Sequence, residues 1–435
     1  MDISRRSVVA AGAALSLGAA RGGKRAPDDA YKLPSDFLWG TAISAHQSEG
    51  NNTNSDSWIR ENVKPTVFKD RSGDACDSYH RYAEDIAIAA KLGFNCYRFG
   101  IEWARIEPSE GAFSNAELDH YAQVLEACRA RGLKPVVTFN HFTTPIWFAA
   151  RGGFEEADAP DLFARFCGKA AVHLGGLMHL ATTFNEANIQ LLVQLLSPSG
   201  ASPAVKAMMA AAAAATGSPK FSSLAFADPA VATPILQEAH RNAYAAIKAA
   251  QPRLPVGLTL TTQDIQSTGS PSWADKYRKR LYGDWVEVAR THSDFIGVQT
   301  YTRFRVGENG LVPPPEGAEL TDAGYEFYPQ ALGSTIRWAH EVIGKPIYVT
   351  ESGIATDNDT RRVAFIDQAL ASLKECLAEG IPVHSYLYWS LLDNFEWTSG
   401  FGKHFGLVAV DLKSFKRTLK PSAHHLGAIA RRNWI

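Results

Sequence analysis

The chain has 435 residues, of which 46% are apolar and 20% are charged. This composition is typical of a globular protein and excludes a collagen-like or largely disordered chain. The 44 Lys and Arg residues nearly balance the 45 Asp and Glu residues, so a nucleic acid is not an expected partner. The 5 cysteines form no C-x-x-C pair, and no internal stretch of about 20 apolar residues predicts a membrane span.

The first 30 residues have the pattern of an export signal followed by a linker. Arg5 and Arg6 precede an apolar run of small residues from Val8 to Ala20. A charged start, a short apolar run and a small-residue cleavage site are typical of secretory signals, and the arginine pair indicates the twin-arginine route. We therefore expect an exported, periplasmic protein that crosses the membrane folded. Its folded domain is predicted to cover residues 31–435.

Strand and helix patterns alternate along the rest of the chain. Eight short runs rich in β-branched and aromatic residues predict strands at 37–44, 96–103, 134–141, 179–186, 255–261, 295–301, 346–352 and 383–390. Stretches with helical spacing lie between them, and several end at a glycine, as at Gly132, Gly344 and Gly380. This order predicts one α/β domain, a (β/α)8 TIM barrel with long βα loops. An open doubly wound sheet is the alternative, but no G-x-G-x-x-G follows the first strand.

Two of the predicted strands end in a glutamate. The fourth ends at Glu186 and the seventh at Glu351. Because a parallel barrel places its active site at the C-terminal ends of its strands, we expect both carboxyl groups at one rim. Burying an ionised carboxyl is costly unless it is hydrogen-bonded or used, and either residue alone is equally compatible with a structural salt bridge. Together they are the pair of groups that cleavage of a glycosidic bond requires.

Other strand ends carry groups that suit a sugar. A pyranose presents hydroxyl groups at its edge and C–H groups on its faces, which favours polar side chains beside indole rings. The candidates at or just beyond the strand ends are His46, Gln47, Glu49, Arg98, Asn140, His141, Tyr301, Trp389, Asp393, Glu396 and Trp397.

Five segments at these strand ends resemble glycoside hydrolase family 1, the family of retaining β-glucosidases. They are F-L-W-G-T-A-I-S-A-H-Q-S-E-G from Phe37, Y-R-F-G-I-E-W-A-R-I-E-P from Tyr97, T-F-N-E-A-N from Thr183, Y-V-T-E-S-G from Tyr348 and Y-W-S-L-L-D-N-F-E-W from Tyr388. The resemblance extends over nearly all of residues 33–425. It implies a (β/α)8 barrel and a retaining β-glycosidase, in particular a β-glucosidase that acts on small glycosides or oligosaccharides. It implies no cofactor and no metal.

The resemblance also implies roles for individual residues. Glu186 matches the family's acid/base and Glu351 its nucleophile, while Arg98 and Tyr301 match the groups that hold and polarise the nucleophile. The sugar-binding positions of the family fall on Gln47, His141, Asn185, Glu396 and Trp397, with Trp389 as the platform under the sugar.

Several positions differ from the residues that the family usually has. His46 stands in place of Tyr, Phe142 and Phe154 in place of Trp, Ala187 in place of Pro, and Ser352 in place of Asn. The pair Gln299-Thr300 replaces Asn-Tyr ahead of Tyr301. Both glutamates are retained, so these changes bear on the glycone and the aglycone and leave both open.

Three other functions are alternatives. A 6-phospho-β-glycosidase would bind a phosphate dianion, which Glu396 would repel, although Lys403 is present and Phe405 stands at the family's Tyr position. A metal-dependent hydrolase needs a motif such as H-x-H or H-E-x-x-H, and neither occurs. An inactive sugar-binding protein would be expected to lack Glu186 or Glu351.

The sequence leaves three further questions open. It does not define the oligomeric state or the balance between hydrolysis and transglycosylation. The Ala-rich stretch 197–234 is compatible with a helix, with a cover beside the site or with a low-complexity surface insertion.

Overall fold

A closed barrel of parallel strands forms the centre of the molecule. The computed structural model describes residues 31–435, so the predicted export signal and linker lie outside the described residues. The barrel strands are β1 Leu38–Ala42, β2 Cys96–Gly100, β3 Lys134–Asn140, β4 Leu180–Phe184, β5 Val256–Ser267, β6 Phe295–Gly307, β8 Ile347–Ser352 and β9 Val383–Trp389. They pair in the order β5-β4-β3-β2-β1-β9-β8-β6, and β5 pairs with β6 to close the ring. This architecture confirms the predicted (β/α)8 barrel.

Strands β5 and β6 are longer than their sequence patterns predict. After a shift in register between Thr262 and Asp264 they continue to pair as far as Ser267 opposite Val306. A further strand, β7 Gly310–Val312, then turns back antiparallel to β6. Tyr301 therefore lies inside β6 and not at its end, contrary to the prediction. The remaining strands, β10 Val408–Val410 and β11 Arg417–Leu419, form a separate antiparallel pair.

Helices connect the strands. They are α1 Ala45–Ser48, α2 Asp56–Asn62, α3 Ser78–Leu92, α4 Trp103–Ile106, α5 Asn115–Ala130, α6 Ile146–Arg151, α7 Ala159–Leu174, α8 Ile189–Leu196, α9 Pro203–Ala215, α10 Pro229–Ala250, α11 Ala274–Arg278, α12 Asp284–Thr291, α13 Ala331–Val342, α14 Asp359–Ala378 and α15 Pro421–Arg432. Short 3-10 helices lie at Gly153–Glu155, Gly175–Leu177, Leu224–Phe226 and Trp397–Ser399, and a π-helix at Lys279–Gly283. Several of the connections from strand to strand are long, in agreement with the predicted long βα loops.

The predicted glycine stops coincide with real helix ends. Helices α5, α13 and α14 each end two residues before Gly132, Gly344 and Gly380, whose φ angles are 74°, 70° and 83°. Glycine enters this left-handed region without the steric cost that a Cβ atom would add, so the chain can turn there toward the next strand.

The barrel interior changes from apolar to polar along the strands. Near the strand starts it is filled by the buried cluster of Leu38, Cys96, Val136, Leu180, Phe295 and Leu387. Two residues further along, the same strand faces carry Arg98, Thr138 and Thr182, all of which are buried. The other strand faces pack with the helices into the main core, which includes Trp39, Tyr97 and Val137. The polar groups are thus concentrated toward the C-terminal ends of the strands.

The Ala-rich stretch contains a regular helix. The hydroxyl group of Ser202 accepts a hydrogen bond from the Val205 amide at 3.3 Å and caps the start of α9. Met208 on this helix is fully buried against Phe68 and Phe395. Since Phe395 immediately precedes Glu396, α9 supports the loop that follows β9.

Candidate active site

Glu351 lies near the end of β8 and has two hydrogen-bond donors. Arg98 on β2 donates from Nη1 to Oε1 at 2.5 Å, and Tyr301 on β6 donates from Oη to Oε2 at 2.6 Å. Burial raises the pKa of the Tyr301 phenol well above its usual value, so the hydroxyl stays protonated and remains a donor. Burial also raises the pKa of the Glu351 carboxyl, while Arg98 and Tyr301 act against that rise. Each carboxylate oxygen therefore has a fixed partner.

Glu186 follows β4 in an unusual backbone conformation. Its φ angle is 45°, in the left-handed region that side chains other than glycine seldom adopt. The Thr259 hydroxyl on β5 accepts a hydrogen bond from the Glu186 amide at 3.1 Å and donates to the Phe184 carbonyl at 2.7 Å. The neighbouring strand thereby holds the turn that aims the Glu186 carboxyl into the site.

The Glu186 carboxyl has one hydroxyl partner, and an amide side chain orients that hydroxyl group. It hydrogen-bonds the Thr261 hydroxyl. Gln263 donates from Nε2 to Thr261 Oγ1 at 2.8 Å, and its own Oε1 accepts from the Tyr282 hydroxyl at 3.0 Å. Burial first, and the nearby Glu351 carboxylate second, raise the pKa of Glu186 to about 8. Glu186 is therefore mainly protonated at neutral pH.

Three carboxyl groups, those of Glu186, Glu351 and Glu396, line this cavity. Burial and then the Glu351 carboxylate raise the pKa of Glu396 to about 8 as well. Arg98 touches Glu351 directly, and like charges at close range disfavour a second and third ionised carboxylate. The negative charge is therefore concentrated on Glu351, while Glu186 and Glu396 retain their protons at neutral pH.

Asn185 is oriented by two donors at one atom. Its Oδ1 accepts from Arg98 Nη2 at 2.6 Å and from Gln299 Nε2 at 2.7 Å. With Oδ1 used in this way, the Asn185 amino group is left to face the cavity that the residue lines. Gln299, one of the departures from the usual family pattern, thus occupies a position directly behind a predicted sugar-binding residue.

Gln47 and Glu396 form a second polar pair. Gln47 donates from Nε2 to Glu396 Oε2 at 3.1 Å and to the Phe395 carbonyl at 2.9 Å. The Ser44 hydroxyl donates to Gln47 Oε1 at 2.8 Å, which fixes which end of the amide faces Glu396. A carboxyl and an amide held side by side in this way offer two adjacent partners to a vicinal pair of hydroxyl groups.

An aromatic wall completes the site. The His141 ring stacks on Trp389 with ring centroids 5.5 Å apart and on Trp397 at 6.3 Å. Burial, and next the positive charge of Arg98, lower the pKa of His141 well below its usual value, so the ring is neutral. His141 Nδ1 is buried without a hydrogen-bond partner among the described residues. His46 lies behind this wall, where it stacks on Trp397 at 5.7 Å.

These groups surround one cavity of about 470 Å³. Of the ten residues to which the family resemblance assigns roles, nine line it: Gln47, His141, Asn185, Glu186, Tyr301, Glu351, Trp389, Glu396 and Trp397. Arg98 lies behind Glu351. Three lining residues that are not glycine, Phe142, Glu186 and Trp397, have positive φ angles of 72°, 45° and 46°. Strained backbone of this kind is found mainly at functional sites.

The described part of the chain contains neither a metal-binding cluster nor a membrane-spanning helix. Within residues 31–435 no three His, Cys, Asp or Glu side chains lie close enough together to bind a metal ion. No helix in the same range has the length and apolar character needed to cross a membrane.

Comparison with known proteins matches the sequence of the chain to a family. The sequence model of glycosyl hydrolase family 1 matches residues 30–270 and 286–434. The chain belongs to glycosyl hydrolase family 1. It is accordingly an O-glycosyl hydrolase, and it has the fold and the paired carboxyl groups of a retaining β-glycosidase.

Relatives in glycosyl hydrolase family 1 match the chain over most of its length. A β-glucosidase of Agrobacterium sp. is 28% identical, with 92% of this chain and 96% of that protein covered. A β-galactosidase of Sulfolobus acidocaldarius is also 28% identical, with 93% and 96% covered. The solved structure of β-glucosidase 1317 is 49% identical with a TM-score of 0.88, and covers 91% of this chain and 98% of its own. The β-glycosidase BGL167 structure is 48% identical with a TM-score of 0.88, covering 92% and 97%.

Some site residues of this family 1 chain were missed from its sequence. Thr261 and Gln263 lie on β5. Thr261 is the last residue of the predicted strand, and Gln263 lies beyond it. The polar alternation Thr261-Thr262-Gln263-Asp264 after an apolar run was the available signal. Ile189, Leu192 and Leu196 on α8 also line the cavity. Their i, i+3, i+7 spacing marks one helix face but does not tell whether that face contacts the core or a cavity.

Proposed function

We propose that the protein is a β-glucosidase in which Glu351 is the nucleophile and Glu186 the acid/base. The observation that carries this assignment is the difference between the two carboxyl environments. Glu351 contacts a guanidinium and a phenol, at 2.5 and 2.6 Å, while Glu186 has a pKa of about 8 and contacts a hydroxyl group. Pairs of titratable groups whose environments separate their pKa values indicate which residue is the acid and which is the base or nucleophile.

In the first step a Glu351 oxygen attacks the anomeric carbon of the sugar. The bond between that carbon and the leaving oxygen breaks as Glu186 transfers its proton to the leaving oxygen. The alcohol departs, and a covalent ester joins the sugar to Glu351. Arg98 and Tyr301 stabilise the carboxylate before attack and again when the ester breaks.

In the second step water replaces the departed alcohol. Glu186, now ionised, accepts a proton from the water as its oxygen attacks the anomeric carbon, and Glu351 leaves as a carboxylate. Two inversions give net retention of the anomeric configuration. A sugar or alcohol that reaches the ester before water would give transglycosylation through the same intermediate.

The glycone is bound by the polar pair and the aromatic wall. Gln47 and Glu396 take neighbouring hydroxyl groups, Asn185 takes the hydroxyl next to the anomeric carbon, and Trp389 packs on the C–H face of the ring. The relatives named for β-glucosidase activity favour glucose as the glycone. A β-galactosidase among the relatives makes galactose the second candidate.

A phosphorylated sugar is disfavoured by the charges around the glycone. The ionised Glu351 carboxylate lines the cavity and would oppose a phosphate dianion, and the acidic Glu396 beside it offers that dianion no counter-charge. Lys403 does not line the cavity of the described chain, and its ammonium group donates to the Asp322 carbonyl.

The test is hydrolysis of nitrophenyl β-glycosides that differ in the sugar. We expect the glucoside to be cleaved, the Glu351→Gln variant to be inactive, and Glu186→Gln to retain activity only toward good leaving groups. Azide added to the Glu186→Gln variant should give a β-glycosyl azide, because it replaces water on the covalent intermediate. If the Glu351→Gln variant turned over the glucoside at the wild-type rate, the assignment would be refuted.

We also propose that the protein is exported through the twin-arginine route. The proposal is supported by Arg5, Arg6 and the apolar run that follows them. An exported enzyme would meet glycosides that have not been phosphorylated during uptake into the cytoplasm.

A further inference from the structure

Helix α8 has apolar residues on two faces. Leu191 and Leu195 are buried in the main core. Ile189, Leu192 and Leu196 are only partly buried or exposed, and all three line the active-site cavity. Leu196 has 56% of its surface exposed, which is unusual for a large apolar side chain. Ile189 and Leu192 also pack against the main core, but the face as a whole leaves apolar surface open to the cavity.

This face begins at the acid/base residue. The Ile189 amide donates to the Glu186 carbonyl at 2.9 Å, so α8 starts three residues after Glu186 and is fixed to it. In the proposed mechanism the Glu186 carboxyl protonates the leaving oxygen. The part of the cavity beside α8 is thus the part that the leaving group occupies.

The facing wall offers few free polar groups. It is formed by Thr302 and Phe304 on β6 and by the loop residues Ala323 and Gly324. The Thr302 hydroxyl is already used, since it donates to the Glu326 carbonyl at 2.7 Å. Both ends of the Gln263 amide are likewise engaged, with Thr261 and Tyr282. In contrast, the glycone end presents Gln47, Asn185 and Glu396.

We propose that the α8 face is an aglycone site for apolar alcohols, alkyl or aryl, in preference to a second sugar. This rests on the proposed function, since it assigns the leaving-group side of the same cavity. Three aliphatic side chains and Phe304 remove apolar surface of an alkyl or aryl group from water. A second sugar would place hydroxyl groups against this wall and lose their hydration without hydrogen bonds in return.

The experiment compares alkyl glucosides, whose leaving alcohols have similar acidity, with cellobiose, whose leaving sugar hydroxyl is more acidic and would favour cellobiose if the aglycone site had no preference. Methyl, butyl, hexyl and octyl β-glucosides and cellobiose are assayed with the mature wild-type protein for kcat/KM. Burial of each methylene contributes up to about fourfold. We expect kcat/KM to rise about twofold to fourfold per methylene, and octyl glucoside to exceed cellobiose by at least about tenfold.

Two variants locate the effect on α8. Leu192→Gln should flatten the dependence on chain length and narrow the gap between octyl glucoside and cellobiose. Val193→Gln is the matched control, because Val193 is the adjacent residue and faces a separate groove with Lys206. It should keep the wild-type dependence on chain length.

The outcomes separate this inference from the function on which it rests. A wild-type protein that cleaves nitrophenyl glucoside but shows no dependence on alkyl chain length, or prefers cellobiose, overturns the aglycone site alone. Loss of the chain-length dependence in Val193→Gln as well as in Leu192→Gln also overturns it. A folded wild-type protein that cleaves no glycoside overturns both proposals.

Discussion

Glu186 and Glu351 are the same type of residue with opposite proposed tasks. Glu351 is buried and Glu186 is partly buried, and the pKa of each carboxyl is raised above its usual value. The Arg98 guanidinium contacts Glu351 and stabilises its ionised form. Glu186 has no such contact and therefore keeps its proton. A single cation placed at one end of the cavity is what divides the roles.

The raised pKa of Glu186 predicts the alkaline side of the pH profile. As general acid Glu186 must be protonated, and the protonated fraction falls as the pH rises through a pKa of about 8. For a poor leaving group such as methanol, kcat/KM should therefore fall about tenfold per pH unit above that value. A profile of kcat/KM from pH 5 to 10 measures it.

The control for this profile is Glu186→Gln with a dinitrophenyl glucoside, which needs no proton from the enzyme. The alkaline fall should disappear in that variant. If it persists, the titrating group is Glu396, whose pKa is also about 8, and the assignment of the alkaline limb to Glu186 is wrong.

Gln299 is predicted to act as a positioning residue for Asn185. Gln299→Met keeps the side-chain length but removes the donor that reaches Asn185 Oδ1 at 2.7 Å. A net hydrogen bond of this kind corresponds to about threefold to tenfold in kcat/KM for a glucoside. A 2-deoxyglucoside lacks the hydroxyl that we propose Asn185 binds, and it should be affected much less. An equal loss on both substrates would show that Gln299 has a purely structural role.

For individual residues, the sequence predicted the role wherever that role followed from the position of the residue at the end of a strand. Glu186 and Glu351 follow directly from apolar runs, and nine of the ten residues to which the family resemblance assigns roles line the cavity. Thr261, Gln263 and the part played by Gln299 were not predictable. Their roles depend on the register between β5, β6 and β4, which is set by contacts between distant segments.

At the scale of elements, local signals located the strands but not all of the loop helices. The eight barrel strands and the glycine-terminated helices have strong periodic patterns. Helix α8 has apolar residues at most of its positions, I-Q-L-L-V-Q-L-L, because it contacts the core on one side and the cavity on the other. In α9 the alanine run carries little pattern, and the single Met208 that docks it becomes evident only beside Phe68 and Phe395.

Met208 is predicted to anchor α9. Met208→Ala removes a fully buried side chain, and buried Met to Ala changes lower the free energy of unfolding by about 2 to 4 kcal/mol. Urea denaturation followed by circular dichroism measures the change. Lys206→Ala on the exposed side of the same helix is the control, with an expected change within about 0.5 kcal/mol. Equal effects of the two variants would show that α9 is held by something other than Met208.

At the scale of the whole molecule, the two ends of the described chain meet under the barrel. The Tyr31 amide donates to the Ile435 carbonyl at 2.6 Å, and Trp39 Nε1 donates to Asn433 Oδ1 at 2.9 Å. The fold is thus closed by hydrogen bonds and packing. All 5 cysteines are buried as free thiols, and burial raises the pKa of each of them.

The free buried thiols bear on the route by which the whole chain is exported. The general secretory route delivers unfolded chains, whose 5 exposed cysteines would be oxidised in the periplasm. A chain exported in its folded state keeps its thiols inside the core. The predicted twin-arginine signal and the buried thiols therefore both favour export of the chain in its folded state.

The prediction is that replacing both arginines by lysine, Arg5→Lys with Arg6→Lys, stops export although the positive charge is kept. In a bacterial host, the wild-type glucosidase activity should be periplasmic and the mature chain should begin at Arg21, after cleavage at Ala20. The double variant should remain active in the cytoplasm with residues 1–20 attached, and that activity shows that it folds. Periplasmic activity of the double variant would instead assign export to the general secretory route. In that case the 5 thiols must pass the oxidising compartment in an unfolded chain, and the yield of active enzyme should rise when reductant is added during expression.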